Sequence, residues 1–214
     1  MTIKVWVMTT GMMGNNVSIL LDEETAEAVI VDPSFEPEMV LDFIEEQQIK
    51  VKQILLTHGH FDHFAGVSFL LSKLTHTPRW GLHHDDLPLL LEGGGSRDLH
   101  FPVLPPGQPD FLLEHGQMLP FAGVEIQVRL APGHTPGSVI YYIPQVHTAV
   151  CGDVIFHHGV GRTDLQGGSQ EALINSIKTQ VFTLPENTRL IPGHGEETTV
   201  LEEKLNNPYL GHLF

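Results

Sequence analysis

Apolar positions divide the chain into short runs. Lys4–Met8, Val17–Leu21 and Glu27–Val31 read as strands, with Asp22–Thr25 as a turn. Asp32-Pro33-Ser34 ends the third of them. Glu36–Gln48 then carries Met39, Val40, Phe43 and Ile44 at helical spacing with acids opposite, which predicts an amphipathic helix. Gln53–Leu56 reads as a strand, Phe64–Leu74 as an amphipathic helix, Thr77–Leu82 as a strand and Asp85–Leu91 as a short helix. Residues 92–110 hold Gly93-Gly94-Gly95-Ser96 and Pro102, Pro105, Pro106 and Pro109. They form a long loop crossing between the halves, of the kind that serves as a lid or mobile segment. Strands follow at Asp110–Leu113, Val124–Leu130, Ser138–Ile143 and His147–Cys151. A helix at Gln170–Thr179, a strand at Thr188–Ile191 and a helix at Thr198–Asn206 complete the chain. Each half is strands followed by strand–loop–helix, so a layered α/β fold is expected. No solenoid repeat is present.

Composition narrows the classes. The chain has 214 residues, 41% hydrophobic and 17% charged, which fits one globular domain over 1–214 and excludes disorder. No run approaches the roughly 20 apolar residues of a membrane span, and Val5–Met8 is too short for a signal peptide. The 26 acids against 11 Lys and Arg leave a net charge of −15, which repels nucleic acid and anionic membranes, so neither is an expected partner. A lone cysteine, Cys151, permits no internal disulfide and points to a reducing cytoplasm. It reads as a small buried residue rather than a nucleophile. The 14 histidines outnumber Lys and Arg together. A solvated surface has no need of so many.

The chemistry concentrates in Thr57-His58-Gly59-His60-Phe61-Asp62-His63, directly after an apolar strand. Alternate residues of an extended segment share a face, so His58 and His60 can reach one ion. Asp62 and His63 fall at the next helix start, whose free N–H groups are expected to hold the carboxylate. Three further strands end in a Gly or Pro turn and one ligand-type residue: Pro132-Gly133-His134, Gly152-Asp153 and Pro192-Gly193-His194. Several strand ends delivering His and Asp to one edge is how α/β sheets build sites. Glycine beside each is expected to let the backbone approach the ion. Imidazole and carboxylate suit zinc first, with iron or manganese compatible.

His58-x-His60-x-Asp62-His63, followed by His134, Asp153 and His194, resembles the metallo-β-lactamase-fold superfamily over nearly the whole chain. The resemblance implies a four-layer αββα sandwich with the site at one edge of its two sheets. It implies that His58, His60 and His134 hold one metal, Asp62, His63 and His194 a second, and that Asp153 bridges them with a water or hydroxide. Gly133–Ser138, Gly152–Phe156, Gly161-Arg162-Thr163-Asp164 and Gly193-His194-Gly195 resemble the glyoxalase II branch, the hydroxyacylglutathione hydrolases. That branch implies hydrolysis of a small-molecule thioester such as S-lactoylglutathione, with Asp62 and Asp153 as catalytic carboxylates. Arg162, Thr163 and Asp164 become candidate substrate contacts, although Arg162 and Asp164 can equally brace each other.

Gly161–Asp164 with Leu165-Gln166-Gly167-Gly168 is also similar to persulfide dioxygenases, which use one iron. That is the alternative reading. Lactam or lactone hydrolysis ranks lower, because β-lactamases of the family commonly carry Cys at the place of Asp153 and Arg at that of His63. With 20 residues after His194, the chain resembles the short single-domain type without a helical glutathione-binding domain. The sequence leaves the oligomeric state open, a homo-oligomer included. His83, His84, His100, His115, His157 and His158 receive no role, and Gly93–Gly95 lacks the ending of a phosphate-binding loop.

Overall fold

The computed structural model describes residues 2–97, 100 and 103–211. Strands β1 (Ile3–Thr10), β2 (Asn15–Asp22), β3 (Glu27–Val31), β4 (Lys50–Leu55), β5 (Arg79–His83) and β6 (Phe111–Leu113) form one sheet in chain order. The first three pair antiparallel and the rest parallel. A second sheet contains β7 (Met118–Phe121), β8 (Val124–Leu130), β9 (Val139–Ile143) and β10 (Thr148–Gly152). The small hairpin of β11 (Ile155–Phe156) and β12 (Gly159–Val160) stands apart, and β13 (Arg189–Pro192) and β14 (Thr198–Thr199) complete the second sheet in the order β14-β13-β10-β9-β8-β7.

The strand period of two builds the layers. In β2 and β3, Ile19, Ala28 and Ile30 face outward to helices α1 (Pro37–Glu46) and α3 (Val67–Lys73), where Val40, Ile44, Val67 and Leu70 receive them. Their neighbours Leu20, Val29 and Val31 face inward against Val128, Tyr141 and Val150 of the second sheet. On that sheet's far side, Ile140, Tyr142 and Leu190 pack on Leu173 of α5 (Gln170–Ser176) and Val200 of α6 (Val200–Asn206). The architecture is the expected αββα sandwich. Because both faces of β2 and β3 are covered, all thirteen of their residues but Glu27 are buried. No helix among the described residues is long and apolar enough to cross a membrane.

Several boundaries differ from expectation. The Phe64–Leu74 helix is two pieces, α2 (Phe61–Phe64) and α3, because the Gly66 N–H turns to Pro33 O at 2.9 Å. A Cβ on Gly66 would lie 2.5 Å from Ser34 O, so only glycine passes there. The Asp85–Leu91 helix is a 3-10 turn, His84–Asp86, leading into α4 (Leu87–Leu91). Gln170–Thr179 becomes α5 followed by a π-helical turn, Ile177–Val181. Thr198 and Thr199 pair with β13 rather than joining α6, whose cap is Thr199 Oγ1, 3.2 Å from Glu202 N. Strand β7 was not expected, since Pro120 interrupts its pattern; at the sheet's edge its missing N–H costs no ladder bond. Within 92–110, Gly93–Ser96 forms a turn, and Phe61 N donates to Gly94 O at 3.1 Å, fastening it beside α2. Pro102 lies outside the described residues.

Candidate metal centre

The strand ends of both sheets meet at one edge. β4 runs into Thr57–His60, β8 into the loop holding His134, β10 into Asp153 and β13 into His194. These residues, with Asp62 and His63 inside α2, line or floor one cleft.

Two groups result. Ligand-type atoms of His58, His60 and His134 lie within 4.8 Å of one another, as do those of Asp62, His63 and His194. Asp153 stands between them: Oδ1 is 3.5 Å from His63 Nε2, and Oδ2 is 3.6 Å from His134 Nε2 and 3.7 Å from His194 Nε2. The structure brings all seven expected side chains to one place.

Four histidines are anchored by the far ring nitrogen. His63 Nδ1 lies 2.9 Å from Asp32 Oδ2, His134 Nδ1 2.8 Å from Arg162 O and His194 Nδ1 3.0 Å from Met13 O. Thr57 Oγ1 donates to Asp32 Oδ2 at 2.6 Å, so its lone pair takes the Nδ1–H of His58 at 3.0 Å. In each case Nε2 is turned toward the centre, where that of His134 lies 2.8 Å from His60 Nδ1; outer hydrogen bonds impose this orientation on metal-binding histidines. His58 Nε2, His63 Nε2 and Asp153 Oδ1 are buried without a hydrogen-bond partner. An unpaired buried polar atom costs roughly 1–3 kcal/mol, and here three such atoms converge on one place. Such a donor set fits divalent ions of the zinc and iron type.

Electrostatics separates the groups. Burial holds His58 far below the ordinary imidazole range, reinforced by His63 and His134. Burial and His134 likewise take His60 down to about 3, against Asp62. Both are neutral lone-pair donors. Burial also disfavours charge on His63, but Asp62, Asp153 and Asp32 outweigh it and raise the group to about 10. Asp62 is held well below the carboxylate range by His63, His194 and Asn15, despite burial.

One expectation needs correcting, and two are refined. Asp62 is not held by helix N–H groups; its Oδ2 accepts from Asn15 Nδ2 at 2.8 Å, and Ser34 Oγ donates to its carbonyl. The glycines are fixed by neighbouring protein atoms. A Cβ on Gly193 would sit 2.1 Å from Asp153 Oδ1, and one on Gly133 2.3 Å from Leu173 N, so they make room for a neighbouring side chain and for α5. Arg162 and Asp164 do brace each other, with two 2.8 Å bonds on an exposed loop. Arg162 still walls the cleft with Met13, Phe61, Leu89 and Leu165, whereas Thr163 and Asp164 do not line it.

Three functional positions escaped the sequence reading. Asp32 looked like a strand terminator, although it repeats the pattern of an acid directly after an apolar strand. Buried Asn15 carried no signal. Asp86, fully buried, accepts from Gly59 N at 2.7 Å, Gly137 N at 2.6 Å and Thr135 Oγ1 at 2.6 Å, and so clamps the His58–His60 and His134 loops together. Cys151 is buried in the outer layer, and burial pushes its thiol up to about 12.

Comparisons with known proteins agree with this arrangement. The model of the metallo-beta-lactamase superfamily matches residues 12–194. Hydroxyacylglutathione hydrolase GloC of Haemophilus influenzae is 36% identical, over 91% of this chain and 92% of its own. The crystal structure of BLEG-1 B3 metallo-beta-lactamase superposes with a TM-score of 0.91 at 33% identity, covering 97% of this chain and 99% of that one. That of TTHA1623 in a di-iron-bound form gives 0.86 at 35% identity, over 96% and 100%. With the sandwich, the edge site and the ordered histidine and aspartate motifs in place, the chain belongs to the metallo-beta-lactamase superfamily.

Proposed function

We propose that the protein is a metal-dependent thioester hydrolase acting on substrates such as S-lactoylglutathione. The observation that carries this reading is the position of Asp153, whose carboxylate faces both triads at 3.5–3.7 Å. One carboxylate shared by two donor sets is what a pair of adjacent ions requires, and a single-iron oxygenase has no use for the second set. His58, His60 and His134 would hold one ion, Asp62, His63 and His194 the other, and Asp153 both. Ions held there would supply Lewis-acid charge beside the reacting carbonyl and would acidify a bound water from a pKa of 15.7 towards about 7.

The chain's own groups supply the rest. Asp62 stays ionised and accepts the proton bond of the attacking water, while Asn15 fixes its other side. Met13, Phe61, Leu89 and Leu165 form an apolar wall for the acyl group and thiol methylenes in a cleft of about 250 Å³. Arg162, at the rim, meets a carrier carboxylate by exchanging partners with Asp164, flanked by Thr163. A departing thiolate, with a thiol pKa of about 8.5, needs no strong general acid. The name of the Haemophilus relative supports this substrate class; that of BLEG-1 supports lactam cleavage as a second reading.

The test loads apo-protein separately with zinc and with iron(II), then measures thioester loss, lactam cleavage and oxygen uptake on glutathione persulfide. The zinc form is expected to hydrolyse S-lactoylglutathione without consuming oxygen. Turnover by the iron form alone, on persulfide with oxygen consumed, would replace the hydrolase with a dioxygenase. Cleavage of lactam but not thioester would favour the second reading.

A further inference from the structure

Two clusters of histidine and carboxylate stand away from the cleft. In one, His83, His84 and Asp85 are consecutive, so the backbone alone makes them neighbours. The other gathers residues from three separate segments. His157 and His158 form the turn between β11 and β12, Glu196 follows His194 by two residues, and Glu202 and Glu203 stand in the first turn of α6. Convergence from distant segments needs a tertiary cause.

The geometry is specific. His158 Nε2 is 2.8 Å from Glu202 Oε1, His157 Nδ1 is 3.4 Å from Glu196 Oε2, and the two imidazole centroids are 4.0 Å apart. Buried Glu203 fastens the turn beneath them: its carboxylate accepts from Thr198 Oγ1 at 2.6 Å, Asn207 Nδ2 at 2.6 Å and His158 N at 3.1 Å. It is thereby satisfied and acts as a strut. The strut holds His158 at φ 55, a left-handed conformation that costs a non-glycine residue energy. Both imidazoles and the Glu202 carboxylate remain open to solvent. None of them lines the central cleft.

Ligand atoms of His157, His158 and the strut Glu203 lie within 4.8 Å of one another, and we propose that this histidine pair, with the exposed Glu202 and Glu196 carboxylates already paired to it swinging inward, forms a peripheral site for a divalent transition ion of the zinc class. Two donors about 2.1 Å from a tetrahedral ion lie about 3.4 Å apart, the spacing between His157 and Glu196. The shorter His158–Glu202 contact is bridged by a proton, and an ion replacing that proton widens it by a few tenths of an ångström. Two imidazoles with carboxylates favour zinc over calcium or magnesium, and the net charge of −15 concentrates cations near the surface. An ion here ties the β11–β12 turn to α6 and to the loop leaving His194. Phe156, which opens that turn, has its ring 6.4 Å from the His194 ring, so the tie braces the rim of the central cleft from outside.

Equilibrium dialysis of the full chain against zinc, followed by metal analysis, tests the proposal. Wild type should take up one equivalent more than the double variant His157→Ala/His158→Ala, and Glu202→Gln should bind that equivalent at least tenfold more weakly. Millimolar calcium or magnesium should not displace it. The reading is a difference between proteins, so it stands however many ions the central cleft takes and whatever the substrate. The zinc-loaded double variant should keep S-lactoylglutathione turnover within twofold of wild type. Equal zinc uptake by wild type and double variant would overturn the proposal. So would the loss of more than one equivalent, which would assign the histidine pair to the central site.

Discussion

The two triads in the cleft reach similar compactness by different means. His58, His60 and His134 are 1%, 7% and 2% exposed, and their loops are tied by a single buried carboxylate, Asp86. Asp62 and His194 depend instead on the docking of the first sheet's β1–β2 hairpin against the second sheet, while His63 rests on Asp32. Met13 O and Asn15 reach His194 from the β1–β2 hairpin, and Asn16 Nδ2 donates to Pro192 O at 3.1 Å and Gly195 O at 2.8 Å. The His194 side chain remains 26% exposed. Both half-sites span the two sheets, but the first is locked by one buried carboxylate and the second is held by several separate hydrogen bonds. The first should therefore fail all at once and the second by degrees.

The strongest way to break this contrast is to delete one member of each triad. His58→Ala should abolish turnover, whereas His194→Ala should lower bound metal from about two equivalents towards one. Metal analysis beside kcat/KM reads both. A wild-type protein that never exceeds one equivalent under saturating metal would remove the second half-site altogether.

Next in size is the clamp itself. Asp86→Ala leaves two buried N–H groups and a hydroxyl without their acceptor, at roughly 1–3 kcal/mol for each group. A loss of about 3 kcal/mol lowers Tm by roughly 6–12 °C in a chain of this size. The drop should appear with and without metal. Calorimetry of both forms checks it, and a drop confined to the metal-loaded form would mean that Asp86 serves the ions rather than the loops.

Chelation should have a comparable but reversible effect. Ions that bind only the folded state stabilise it by about 2.7 kcal/mol at a hundredfold excess over Kd, so metal removal should lower Tm and zinc should restore it. Unchanged melting after verified removal would mean that these seven residues are not a coupled site.

Asn15→Ala should be milder and selective. It removes the 2.8 Å bond to Asp62 and should weaken one metal equivalent about 10–100-fold, as loss of an outer-shell partner does, while sparing the other. Equal weakening of both equivalents would erase the distinction between the triads. The smallest expected signal is at Cys151. Its thiol, pushed up to about 12 by burial, should label only slowly at pH 8 in both metal-loaded and metal-free protein. Fast labelling after chelation would show that metal removal opens β10 and not merely the cleft.

Much of the molecule was legible from periodicity. Strands β3 and β8 occupy the predicted residues, since complete burial on the inward face writes an unambiguous apolar pattern. The seven candidate ligands were legible because strand–turn–ligand segments are local. Pairing across sheets left weaker traces. The short strands β11, β12 and β14 hold two residues each and carry no periodicity. The break between α2 and α3 depends on Gly66 meeting Pro33 and Ser34, contacts from another part of the chain.

The amino-acid order alone determined the donor inventory, the alternation that buries two strand faces and the family to which the chain belongs. These rest on local spacing, and local spacing is written directly in the chain. Only the tertiary structure decided which atoms support those donors. Asp32 under His63, Asn15 beside Asp62 and Asp86 between two loops lie 31, 47 and as many as 51 positions from their partners. An isolated Asp or Asn reads the same whether it caps a turn in water or anchors an imidazole in the interior. What distinguishes the two is burial and a partner brought in by folding, and neither has a local signature.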